Sequence, residues 1–222
     1  LEPLPAVCDG LPLLPEGWTW ASIDQISDFV TKGTTPAAQK LFDDSGEVQF
    51  LKVYNLTFDG TLNHRHKPAF VSRETHVEEL ARSKVRPGDV LINIVGPPLG
   101  QVSVVPELLA EANINQAIAR IRPVAPLCFQ FIAMALMCDD VMRWAIRRGK
   151  TTAGQANLTL ELIRALPIPL PPIGEQIRLT AEVDRRLSIL RGVEVEVDAN
   201  LQRAQRLRQS TLAKAFAPNG LI

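Results

Sequence analysis

Residues 166–176, LPIPLPPIGEQ, join two unlike kinds of polypeptide. Prolines at 167, 169, 171 and 172 fix φ and remove four backbone donors, so this stretch cannot continue a helix or fill a central strand. Before it the sequence is mixed and strand-rich. After it no proline occurs until Pro218. The pattern predicts four parts: a linker at 1–14, a globular module at 15–165, a proline-stiffened elbow at 166–176 and a long helix at 174–217. Such an arrangement suits holding a module at a distance better than it suits an enzyme pocket.

With 222 residues, the chain has room for one substantial domain plus an appendage. The longest apolar run, Phe129 to Met137, falls short of the roughly 18 residues that a membrane helix needs, and it runs straight into Asp139 and Asp140. No membrane association is therefore expected. No signal peptide is recognisable. The proline-studded opening LEPLPAVCDGLPLLPEGW reads as a linker, and the chain is expected to be a piece of something longer. Cys8, Cys128 and Cys138 form no CxxC or Cys/His cluster, which points to a reducing, cytoplasmic setting. Net charge is zero, and residues 1–172 hold 16 Lys/Arg against 18 Asp/Glu. If the module binds nucleic acid, its cations must be clustered and binding must weaken with salt.

Trp18, Trp20 and Ile23 alternate as in a short strand, and a short helix from Ser22 or Asp24 is an option. TKGTTP at 31–36 reads as a polar loop. VQFLKVYNL at 48–56 reads as a strand with Lys52, Tyr54 and Asn55 toward its end. DGTLNHRHKP at 59–68 is a turn and a polar loop. VRPGDVLINIV at 85–95 turns into a buried strand, GPPLG follows as a turn, and QVSVV at 101–105 is the partner strand. INQAIARIR at 114–122 alternates as a further strand. Helical spacing dominates 127–148, which Gly149 ends. The fold class expected is mixed α/β, followed by a long helix that forms an antiparallel coiled coil.

In that helix Val183, Leu187, Leu190, Val197, Leu201, Ala204, Thr211 and Ala215 recur in alternating steps of four and three, interrupted by Glu194 and Arg208. This is an imperfect heptad, typical of a two-helix seam. About 40 helical residues span roughly 60 Å, and the apolar stripe calls for a partner along its length. Gly192 inside the run costs about 1 kcal/mol relative to alanine.

Several pieces of the chain resemble the DNA specificity subunit of type I restriction–modification enzymes. They are LPEGWTW at 14–20, KGTTP at 32–36, FLKVYNL at 50–56, RPGDVLINIVGPPLGQVSVV at 86–105, NINQAIARIRP at 113–123, GQANLTLELIRALPIPLPPIGEQ at 154–176 and STLAKAFAPNG at 210–220. They occur in the family's order and cover roughly residues 11–220. The resemblance implies two target-recognition domains per full subunit, each reading one half of a split site, with two antiparallel helices fixing the distance between them. The present chain holds one domain and one helix, and so looks like half of such a subunit. Its linker-like start points to the C-terminal half; a natural half-subunit pairing with itself is the other option. The resemblance further implies a non-catalytic subunit without a cofactor of its own. S-adenosylmethionine belongs to a separate modification subunit, and ATP and Mg are expected on partner subunits. The implied partners are double-stranded DNA, the modification (methyltransferase) subunit, the restriction subunit through the complex, and a second half-subunit or a second copy through the long helix.

The residues agree with a non-enzyme. An adenine methyltransferase would need an Asn/Asp-Pro-Pro-aromatic loop, yet the only such proline pair in the module lies in GPPLG, without an acid or amide before it or an aromatic after it. A nuclease needs carboxylates and a lysine at a strand end. Asp43, Asp44, Glu47 and Lys52 approximate this, but Gln49 occupies the place of the second acid. His64 and His66 lack a third metal ligand.

Base readout needs side-chain donors and acceptors, supported by phosphate contacts that set register. The polar loops offer Lys32, Thr34 and Thr35, then Lys52, Tyr54 and Asn55, then Arg65 and Lys67. The densest basic stretch contributes Arg143, Arg147, Arg148 and Lys150, followed by Gln155. Each set has a plain structural alternative: threonines before Pro36 can build a turn, Asn55 can bond its own backbone, and arginines at a helix C-terminus favour the dipole. The competing readings of the whole chain are a helical protein-interaction module without DNA readout, and an intact enzyme.

Overall fold

Alternating apolar side chains on short strands build the centre of the globular unit. The computed structural model describes residues 11–43, 45–152 and 155–216. Strands β1 (Thr19–Ser22), β2 (Ser27–Lys32), β3 (Phe42–Asp43), β4 (Val48–Leu51) and β5 (Ala69–Val71) precede helix α1 (Arg73–Glu78). Then come β6 (Lys84–Val85), β7 (Val90–Asn93), β8 (Val102–Val104), β9 (Ala112–Ile114) and β10 (Ile118–Pro123). Helices α2 (Phe129–Met137) and α3 (Asp139–Arg148) lead to a hairpin of β11 (Lys150–Thr152) and β12 (Gln155–Asn157). Helix α4 (Leu160–Arg164), strand β13 (Pro167–Leu170) and helix α5 (Ile173–Phe216) complete the chain. The chain divides into two compact units between Ile177 and Arg178.

Two sheets form the scaffold, one ordered β3-β5-β4-β9-β6 and one ordered β2-β10-β7-β8. Of the strand pairings among the described residues, only β4 with β9 is parallel. Leu51, Ala112 and Ile114 from the first sheet meet Leu91 and Ile118 from the second in one buried cluster with Val85 and Leu109. Val48 and Phe50 alternate with Leu51, and so face the other side of the first sheet, where they pack with Ala69, Val71 and Leu80. This burial on both faces explains why β4 reads as a nearly continuous apolar run. Helix α2 covers part of the second sheet through β7 and β8, and also meets β13.

The elbow is partly a strand. Residues Pro167–Leu170 pair antiparallel with β1, Pro167 opposite Ser22 and Pro169 opposite Trp20. The Ile23 N–H bonds the Leu166 carbonyl at 3.0 Å, so positions 166, 168 and 170 direct their backbone groups at β1. Pro167 and Pro169 fall on the alternate positions, whose nitrogens face away, and the ladder loses no donor. The first turn of α5 is held to the same unit. The Trp18 Nε1–H donates to Glu175 at 3.1 Å, and the Gln176 carbonyl accepts the Cys128 N–H at 3.2 Å while its amide donates to Pro171 O at 2.9 Å.

Four expectations are corrected. No helix starts at Ser22 or Asp24: the Ser22 and Gln25 side chains cap each other's backbone in a turn, a local alternative to helix. The strand expected over 48–56 stops at Leu51, because the Asn55 side chain accepts the Lys52 N–H at 2.8 Å and closes a single tight turn over Val53–Asn55. The strand expected over 114–122 is two strands, broken where Asn115 Oδ1 takes the Ala117 N–H. The helix expected over 127–148 breaks at Cys138, which is extended (φ −64°, ψ 130°), and Asp139 and Asp140 start the next helix where its dipole favours acids. Gly149 does end that helix, but in extended rather than left-handed backbone.

The long helix runs Ile173–Phe216, 44 residues. Its seam residues Leu190, Val197 and Leu201 are 57%, 58% and 56% exposed. Val193 and Leu207, also exposed, fall on helical spacing beside the two polar interruptions of the seam and extend the apolar stripe.

Two glycines test this architecture in opposite directions. A Cβ on Gly33 would lie 2.0 Å from the Ile114 carbonyl oxygen, whereas nothing lies within 4 Å of one on Gly192. Urea unfolding is expected to show Gly33→Ala destabilised by about 2–4 kcal/mol, and Gly192→Ala stabilised by about 0.5–1 kcal/mol in helix α5.

Candidate nucleic-acid interface

Three polar loops meet where β2, β4 and β9 end. After β2 the chain crosses the β9–β10 turn so closely that only glycine fits at position 33. There the Gly33 N–H bonds Ile118 O at 3.1 Å and the Thr34 N–H bonds Ile114 O at 3.2 Å. Thr35 Oγ1 accepts the Gln116 N–H at 3.4 Å. From the other side, the Asn115 N–H bonds Leu51 O at 3.0 Å. Lys32, Thr34 and Thr35 are exposed on this crossing, as is Gln116.

The loop at 63–67 is drawn in by its carbonyls. Asn55 Nδ2 donates to Asn63 O at 3.0 Å and to His66 O at 2.8 Å. Tyr54 Oη donates to Lys67 O at 3.0 Å, and the Gln49 amide donates to His64 O. The Asn63 N–H returns to Asn55 O at 2.8 Å. With the backbone tied inward, Arg65, His66 and Lys67 remain exposed. Lys67 adopts φ 45° to make the turn. Tyr54 is 39% exposed, edge-on to His66 at 6.0 Å, with Lys52 Nζ 5.9 Å from its ring centre. Phe58 is 60% exposed nearby in sequence.

Asn55 is therefore a positioning residue and not a reader of bases. It is 2% exposed, and its carbonyl oxygen and both amide hydrogens are committed to Lys52, Asn63 and His66. Lys52 precedes the turn and Tyr54 lies within it, and neither prolongs a strand. Among the described residues no group of three or more His, Cys, Asp or Glu is placed to hold a metal ion.

The second basic stretch occupies a different part of the same unit. Arg147 and Arg148 are exposed in the last turn of α3, and the Arg148 guanidinium lies 4.3 Å from the centre of the Trp144 ring, a stacked and restrained cation. Arg143 is one turn earlier, and its charge is offset by Asp139 at 3.4 Å and Asp140 at 3.8 Å. Lys150 and Gln155 lie on the paired strands β11 and β12; their side chains are outside the described residues. That hairpin is connected to the first loop group. Asn157 bridges Val95, the Leu158 N–H bonds Ile94 O at 2.9 Å, and the Ile94 N–H bonds Ala117 O at 2.9 Å. Residues Ile94–Val95 thus link the hairpin to the Asn115–Ala117 turn.

Sequence reasoning misses Asn115 and Gln116, which lie in the middle of the polar crossing. The break in apolar alternation between Ile114 and Ile118 is the available signal.

The fold is similar to that of solved subunits of type I restriction–modification systems. The crystal structure of the HsdS subunit from Thermoanaerobacter tengcongensis matches 97% of this chain and 53% of its own, with a TM-score of 0.69 at 19% identity. A chain solved in a study of complex assembly and conformational transition of the type I system matches 93% of this chain and 47% of its own, with a TM-score of 0.68 at 22% identity. In sequence the chain is similar to curated type I specificity subunits. It is 30% identical over 207 residues to the EcoBI specificity subunit of Escherichia coli, and 21% identical over 210 residues to the EcoDI specificity subunit from the same species. These alignments take in 92% and 93% of the chain but only 42% and 43% of the relatives, so the chain spans less than half of their length. No family model matches it.

The tethered loop makes a paired prediction. Asn55→Ala leaves the His66 carbonyl and the Lys52 N–H without that partner, while the Asn63 carbonyl keeps the His66 N–H, and should cost about 1–3 kcal/mol in urea unfolding. Arg65→Ala and Lys67→Ala remove outward side chains and should stay within about 0.5 kcal/mol of the wild type.

Proposed function

We propose that this chain is one reading half of a type I specificity subunit. Its globular unit recognises one part of a split double-stranded DNA site, and helix α5 sets the spacing to the other half. The observation that carries this reading is 30% identity to the EcoBI specificity subunit across 92% of the chain. The tethered polar loops add a chemical reason: they present Lys32, Thr34, Thr35, Arg65 and Lys67 on restrained backbone, which lowers the ordering cost of a contact. Arg147 and Arg148 supply phosphate contacts, and Lys150 and Gln155 extend that group along the hairpin.

The mechanism is geometric and non-catalytic. Cations fix the unit on the duplex, and donors and acceptors of the loops test base edges. The exposed stripe of α5 buries itself against an antiparallel helix of a complementary half or of a second copy. The modification subunit docks beside this rod, and the restriction subunit joins through the complex. S-adenosylmethionine, ATP and Mg act on those partners, where the target adenine is flipped from the stack.

The exposed stripe also favours a second reading, a helical interaction module whose globular unit is inert. DNA binding separates the two. Filter binding across a salt series should show wild-type affinity falling steeply with salt. Arg147→Ala with Arg148→Ala should weaken binding to all sequences and lower the salt slope by about 1 for each phosphate that is no longer neutralised. Unchanged binding would remove that pair from the interface.

Pairing is tested independently. Leu187→Asp with Leu201→Asp places two charges in the seam, and should abolish co-purification with a second copy or a complementary half. Retained co-purification would refute the seam.

A further inference from the structure

Away from the reading loops, at the far ends of β9 and β10, the rim of the inter-sheet core opens into a cavity of about 330 Å³. Val85, a member of that core, lines it. Its charged lining is Lys84, Arg86, Arg120 and Arg122, with Glu111 as the one carboxylate. Glu111 is already hydrogen-bonded by Arg73, which holds its carboxyl below the usual range. Arg120 and Arg122 are two apart on β10 and so share a face.

Beneath them Asp89, 1% exposed, is fully committed elsewhere. Its Oδ1 accepts Arg122 Nε at 2.7 Å, and its Oδ2 accepts both Arg122 Nη2 at 2.7 Å and the Arg86 N–H at 2.8 Å. Arg120 is left 3.9 Å away. It is 5% exposed, its Nε is buried without a hydrogen-bond partner, and its guanidinium sits 4.8 Å from the centre of the Phe29 ring. Two arginines thus share one carboxylate that only one of them can grip. A buried Nε–H without an acceptor is costly, and Arg120 lines a cavity rimmed by two further cations.

We propose that this cavity is an oxyanion site for a phosphate group, with Arg120 as its buried donor and Lys84 and Arg86 as its rim. Guanidinium forks match phosphate geometry. The volume lies at the lower end of small-ligand pockets, roughly 300 Å³ and upward, and admits a phosphate ester as well as the bare ion. The phosphate comes either from a free nucleotide or from the backbone of a nucleic acid.

The test uses the full chain and inorganic phosphate, followed by thermal unfolding with chloride at matched ionic strength as the reference. Phosphate should raise Tm saturably, as ligand binding to the native state requires. Lys84→Ala with Arg86→Ala alters only the rim and should lose that rise, as should Arg120→Met if it folds. Arg203→Ala with Arg206→Ala, exposed on helix α5 and outside both sites, should keep it. No phosphate rise beyond chloride, or an equal rise in the rim variant, overturns the site. An additional adenosine 5′-monophosphate arm and a duplex-binding arm separate the two sources. A free ligand predicts tighter binding of the nucleotide than of phosphate, with duplex affinity unchanged in the rim variant; a backbone phosphate predicts about tenfold weaker duplex binding in that variant. The thermal readout needs no DNA, so it stands or falls separately from the DNA-reading proposal.

Discussion

An apolar stripe on a 44-residue helix is a thermodynamic debt carried in the open. Leu190, Val193, Val197, Leu201 and Leu207 all remain more than half exposed within this chain. Burying a side chain of that size contributes about 1.5–3 kcal/mol, so several of them in register favour association over solvation. Interruptions at Glu194 and Arg208 keep the stripe from being uniform, and the pairs that Glu182 makes with Arg185 and Arg186 stabilise the helix locally while drawing the Glu182 carboxyl down to about 2. Such a stripe supports the proposed role of a spacer that a second helix covers.

The globular unit solves a different problem, presenting polar side chains without leaving their backbone loose. The answer is visible at two loops. Side chains on β4 or just beyond it hold carbonyls of the 63–67 loop through Gln49, Tyr54 and Asn55, while the Ile114 and Ile118 carbonyls accept the N–H groups of the 33–34 crossing. The sheets need only supply fixed anchor points, and the exposed residues of the loops can vary without disturbing the core.

Much of this is legible in the sequence. Proline spacing locates the join, and the absence of proline beyond it predicts a helix over 174–217, found at Ile173–Phe216. What fails does so for local reasons. Asn55 reads as a base contact at a strand end because a buried clamp and an exposed contact use the same amide. Pro167 and Pro169 read as a stiff elbow because alternation with Ile168 and Leu170, which lets both prolines point away from β1, only matters once the partner strand is known. Arg120 passes as part of an alternating strand, since alternation says which face a residue takes and not whether its charge finds an acceptor. The extended backbone at Cys138, the Asn115 side-chain bond and the Ser22–Gln25 turn each set an element boundary that no periodicity records.

The central claim is that the globular unit reads sequence. Its most direct test is selection from a random duplex library by this chain together with a complementary half and a modification subunit, followed by sequencing of the bound pool. The account predicts enrichment of one short motif that stays constant when the complementary half is exchanged, with the spacing to the second motif fixed. A bound pool with no enriched motif, or one whose motifs all change with the complementary half, would contradict it.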